Sequence, residues 1–101
     1  MNAEKYTSAS QQRLLQLILL LAGNEFDGVA PGELARALRT LPSNVTHDLD
    51  NLRTAGFAEK MENGRWRLGP KLIQVALAFS EHVSRTADRF AELQQRYSRL
   101  P

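Results

Sequence analysis

Apolar residues early in the chain fall on one helical face: Leu14, Leu17, Ile18 and Leu21 are spaced i, i+3, i+4, i+7. The spacing predicts a helix over residues 10–22, capped by Ser8 or Ser10 and stopped at Gly23-Asn24. Leu15, Leu19 and Leu20 widen the apolar surface, which implies either a second partner surface or a helix sunk deeply in a small core. A polar loop with Asp27-Gly28 then leads through a short strand, Val29-Ala30, to Pro31. Proline suits the first position of a helix because its φ is already helical and its missing N–H has no partner there. Leu34, Ala35 and Leu38 mark the buried face of this second helix, which ends near Thr40, and Glu33 sits where the helix dipole favours a carboxylate. A third helix follows over Pro42–Ala55, with Val45, Leu49 and Leu52 inward and Gly56 as its left-handed stop.

The period then changes. Residues 57–61 and 65–68 read as two strands joined by Glu62-Asn63-Gly64, since Asn-Gly tolerates positive φ and is a strong hairpin signal. Trp66 and Leu68 share one side of the second strand, with Trp66 directed to the core; Arg65 and Arg67 share the other. Gly69-Pro70 breaks the strand and starts a fourth helix over Pro70–Ser98. Leu72, Ala76, Phe79, Val83, Thr86, Phe90, Leu93 and Tyr97 are spaced alternately by four and three, a heptad stripe with Ala76, Val83, Phe90 and Tyr97 at a and the others at d. Such a stripe either crosses to another subunit or folds back on its own domain. Glu81 with Arg85 and Glu92 with Arg96 are i, i+4 pairs in the favourable order.

Together these elements predict a mainly α fold with a small β-hairpin: a winged helix-turn-helix over residues 8–70 and a long C-terminal dimerisation helix over residues 71–101. Composition narrows the function. No cysteine is present, which removes disulfides and thiolate metal sites and fits a reducing, cytoplasmic setting. The longest apolar run, residues 17–22, is far short of the roughly 20 residues of a membrane span. No nucleophile–base pair or phosphate-binding glycine loop points to an enzyme, and His47 and His82 lack the partners of a metal site. No catalytic residue, metal or cofactor is expected.

Charge is more informative by region than by its total of +2. Residues 31–70 carry six basic and five acidic groups, so any phosphate-binding surface there depends on placement and not on bulk charge. With Val45, Leu49 and Leu52 inward, a step of about 100° per residue turns Ser43, His47, Asp50, Asn51 and Thr54 outward, with Asn44 and Thr46 at the flanks. Polar side chains on such a helix suit the major groove, where Asn can read adenine and His can donate to guanine. Lys60, Asn63, Arg65 and Arg67 on the hairpin then face the DNA backbone or minor groove. Asp48 and Asp50 dilute the positive charge of this surface.

Gly64-Arg65-Trp66-Arg67 followed by Leu68-Gly69-Pro70-Lys71-Leu72 resembles the wing and following helix of IclR-type transcriptional regulators. Ser43-Asn44-Val45-Thr46-His47-Asp48-Leu49-Asp50-Asn51-Leu52, ending in Ala55-Gly56-Phe57, is similar to both IclR-type and MarR-type recognition helices. The resemblance covers residues 11–75 and implies a regulator that binds double-stranded operator DNA as a homodimer. IclR-type proteins carry a large effector-binding domain after this helix; none follows in this sequence, so no small-molecule effector is expected. The alternative reading is a winged-helix adaptor for protein contacts in a DNA-processing or phage or mobile-element assembly.

Overall fold

The computed structural model describes residues 3–99. A 3-10 turn, Ala3–Tyr6, precedes α1 (Ala9–Leu21), α2 (Pro31–Leu38) and α3 (Pro42–Ala55); the strands β1 (Ala58–Lys60) and β2 (Trp66–Leu68) lead into α4 (Pro70–Ser98). The long helices α3 and α4 have the predicted bounds. α1 begins a residue earlier than expected because Ser8 caps it, its Oγ accepting the Gln11 N–H at 3.3 Å. α2 stops at Leu38, short of Thr40, because Arg39 turns left-handed at φ 51° and the Thr40 N–H returns to the Ala35 carbonyl at 3.1 Å.

β1 and β2 are antiparallel, with Ala58 opposite Leu68, Glu59 opposite Arg67 and Lys60 opposite Trp66. The strands are shorter than predicted because Met61 and Arg65 share only one bond, from the Met61 N–H to the Arg65 carbonyl at 2.8 Å; the Met61 carbonyl accepts instead from the Gly64 N–H at 3.0 Å. Gly64 takes φ 83° in the turn, and the Asn63 Oδ1 accepts the Arg65 N–H at 3.0 Å. The expected short strand at Val29 is a single bridge: Val29 and Trp66 exchange N–H···O bonds of 2.7 and 2.9 Å. That exchange ties the α1–α2 loop to the hairpin.

The core lies between these layers. Leu17 and Leu21 of α1, Leu34 and Ala35 of α2, and Val45, Leu49 and Leu52 of α3 meet Ala58 and Trp66 of the hairpin. Leu15 and Leu19 are 52% and 74% exposed while Leu20 packs half-buried against the core, so α1 is not deeply sunk. Gly69 joins the core to α4. Its N–H donates to the Phe57 carbonyl at 2.8 Å, and a Cβ there would run into the Gly56 carbonyl and the Ala58 nitrogen. This close approach of two backbones fixes where α4 departs.

α4 itself buries no residue. It does not fold back on the head: Phe79, Phe90 and Tyr97 are 71%, 62% and 65% exposed. The radius of gyration is 19.9 Å, against about 13 Å for a compact chain of this length. Glu81 and Arg85 pair at 3.9 Å, whereas Glu92 and Arg96 make no ion pair within 4 Å among the described residues.

Candidate nucleic-acid interface

The apolar side of α3 is buried as predicted, and this fixes what the other side presents. Ser43, His47, Asp50, Asn51 and Thr54 are all exposed, as is Thr46 at the flank. Thr46, Asn51 and Thr54 each donate to a carbonyl one turn back, those of Pro42, His47 and Asp50, at 3.1, 2.8 and 2.9 Å. These local bonds hold the side chains against the helix. Asn44 is half-buried, and its Nδ2 donates to the Thr40 Oγ1 at 2.8 Å, so its amide braces the α2–α3 turn.

Asp48 departs from the expectation that it weakens the outer surface. It is 6% exposed and points inward, where Arg13 of α1 donates to both its oxygens at 2.6 and 3.0 Å. The fork geometry of a guanidinium matches a carboxylate, so the pair satisfies a charge that burial alone would penalise. Hydrogen bonding to Asp48 raises the Arg13 pKa above its ordinary value. Asp50 is the acidic group that stays outside, and Arg53 pairs with it at 3.1 Å. Arg53 also lies over the Trp66 ring, 5.5 Å from its centroid.

The two wing arginines are held in place by the head. Arg65 donates to the carbonyls of Asp27 and Gly28 at 2.9 and 3.0 Å and pairs with Glu33 at 3.3 Å. Arg67 donates to Glu59 at 2.7 Å and to the Glu25 carbonyl at 3.3 Å. Both therefore lace the hairpin to the α1–α2 loop, a use that strand alternation gives no sign of. Lys60 is exposed and makes no ion pair among the described residues, and Asn63 stands at the exposed tip.

Arg36 and Arg39 fall outside the predicted contact set. With Gly32, Ala35, Thr40 and Pro42 they line an open groove at the start of α3, and both are exposed without an ion pair among the described residues. The signal in the sequence is weak: two arginines near the end of a short helix, as in many solvated helix ends. Arg39 holds its left-handed backbone without being glycine, which costs about 1 kcal/mol.

The head is a winged helix-turn-helix. The chain superposes on the crystal structure of the Agobacterium tumefaciens repressor BlcR with a TM-score of 0.63 and 25% sequence identity, over 84% of this chain and 35% of that one. The chain thus spans about a third of the length of the BlcR structure. Structures of ZitR variants from Lactococcus lactis are more distant: one gives a TM-score of 0.49 at 22% identity, over 95% of this chain and 67% of the other. No family model matches the chain, and no curated protein matches it in sequence. Among the described residues no group of His, Cys, Asp and Glu is arranged to hold a metal ion, and no helix is long and apolar enough to cross a membrane.

Proposed function

We propose that this protein is a cytoplasmic, sequence-specific regulator that binds double-stranded DNA as a homodimer, with α3 in the major groove and the hairpin beside it. The observation that carries the reading is the exposed polar face of α3, Ser43, His47, Asn51 and Thr54, set on a winged helix-turn-helix similar to a repressor. Moving Asp48 to the interior strengthens it, because one carboxylate fewer faces the phosphates. The IclR-type resemblance of the wing fits the likeness to BlcR in fold.

The contacts divide by chemistry. His47 and Asn51 are the base readers, with Ser43 and Thr54 able to reach bases or phosphate. Arg36, Arg39 and Lys60 hold the backbone, because each carries an exposed charge without a partner among the described residues. Arg65 and Arg67 set the angle of the wing through their carbonyl bonds.

Selection from a pool of random duplexes at low salt tests the proposal. A shared motif is the expected result; a pool without enrichment would reject DNA reading and favour the adaptor. Repeating the selection with His47→Ala should relax the preference at one base pair, by about 1–3 kcal/mol, without changing the others. A uniform loss across all sequences would instead make His47 a backbone contact. Arg39→Gly separates fold from function. It should raise unfolding stability by roughly 1 kcal/mol by relieving the left-handed backbone. It should also weaken DNA binding and flatten its salt dependence by about one charge. An unchanged salt slope would remove Arg39 from the interface.

A further inference from the structure

We propose that α4 pairs with α4 of a second copy in the antiparallel sense, centred between Val83 and Thr86, and that the partner's last helical turns complete a cleft containing Glu25. The proposal rests on the homodimer reading above and adds its orientation.

The cleft lies where α4 leaves the head. Leu68, Leu72, Ile73, Val75 and Ala76 make an apolar wall, and Glu25 from the α1–α2 loop lines the same space. The Glu25 Oε2 is buried and has no hydrogen-bond partner among the described residues. A carboxylate oxygen taken from water without a donor is costly, so its presence points to a donor brought from outside the chain. The nearby Arg67 does not serve: it donates to the Glu25 carbonyl and to Glu59.

The stripe on α4 indicates where that donor comes from. In an antiparallel pair, each a position faces a d position of the partner. Setting Val83 opposite the partner's Thr86 places Phe79 against the partner's Phe90, Ala76 against the partner's Leu93, and Leu72 against the partner's Tyr97. Ala76 then faces a leucine, and the layers next to the central Val83–Thr86 pair bring phenyl rings together. A parallel pair would set Ala76 on Ala76, leaving a hollow layer that the antiparallel pair fills with Leu93. The five most exposed apolar positions of the stripe, Phe79, Val83, Phe90, Leu93 and Tyr97, would remove on the order of 1,000 Å² from water across two chains, enough for a specific interface.

The same alignment sets the partner's Arg96 beside Val75, at the cleft that holds Glu25. Arg96 has no ion pair among the described residues, so an unpaired cation meets an unpaired carboxylate. In a parallel pair the two would lie at opposite ends of the helix. Leu72 and Tyr97 are about 38 Å apart along the axis, so antiparallel pairing separates the two points where α4 leaves the heads by about that distance. Successive major grooves on one side of B-DNA are about 34–36 Å apart, close to that separation.

The absence of cysteine allows single labels to test this. Nitroxides at Ser84→Cys, near the centre of α4, and separately at Ser98→Cys, at its end, report dipolar distances in the full chain. The expected result is a short distance at Ser84, below about 25 Å, and a long one at Ser98, about 40 Å. Short distances at both sites would overturn the antiparallel orientation and leave the dimer standing. No dipolar distance at Ser84 would overturn the dimer itself. Sedimentation equilibrium on Glu25→Gln, Arg96→Gln and the double variant tests the cross-pair. Each single change should weaken dimerisation about tenfold, and the double should be no weaker than either. Independent losses, multiplying to about a hundredfold, would show that these residues do not meet.

Discussion

Replacing Phe90 with aspartate is expected to leave the chain monomeric and to weaken DNA binding by at least about a hundredfold. The size follows from linkage: two heads joined through α4 bind one duplex with an effective concentration that a single head lacks, a gain of roughly 10²–10⁴. A carboxylate within the apolar seam would have to lose its water without a donor, which the seam does not provide. The head should be unaffected, because α4 contributes no buried residue to it. Sedimentation velocity reads the mass, and thermal unfolding of the head should match that of the parent chain. A mass equal to that of the unmodified chain would place any association elsewhere, with the exposed Leu15 and Leu19 of α1 as the next surface to mutate.

The second large effect concerns the fold. Trp66→Ala should cost about 3–5 kcal/mol and lower the unfolding midpoint by roughly 15–30 °C. Trp66 is 6% exposed, bonds to Val29 through both backbone groups and lies under Arg53. Its removal would leave a cavity where the hairpin, the α1–α2 loop and α3 converge. A loss of that size consumes much of the 5–15 kcal/mol that holds a typical domain together. Calorimetry checks it. A midpoint within a few degrees of the parent would mean that the wing unfolds separately from the helices.

Both predictions depend on features of different legibility. The heptad stripe is written in the sequence, since apolar spacing of four and three over many turns has few other meanings. α3 is equally plain: Pro42 opens it, Val45, Leu49 and Leu52 face inward, and Gly56 closes it. In each case neighbouring residues carry the information. The contacts that cross the chain are different. Arg13 and Asp48 are 35 positions apart, so although Asp48 shares the spacing of Val45, Leu49 and Leu52, nothing local named the partner that takes its charge out of the DNA-facing surface. The carbonyls of Asp27, Gly28 and Glu25 that hold Arg65 and Arg67 are 37 to 42 positions from those side chains. A carbonyl has no residue type, so no sequence pattern marks it as a partner.

The sequence by itself determined the elements, their inward faces and the exposed polar face of α3, because helix and strand periods are set by backbone geometry over a few residues. Only the tertiary structure decided which charges remain available. It paired the inward Asp48 with Arg13, laced Arg65 and Arg67 into the head, and left Arg36, Arg39 and Lys60 free of ion pairs among the described residues. The physical reason is distance: a charge interacts with whatever the fold brings within a few ångströms, and chain separation says nothing about that.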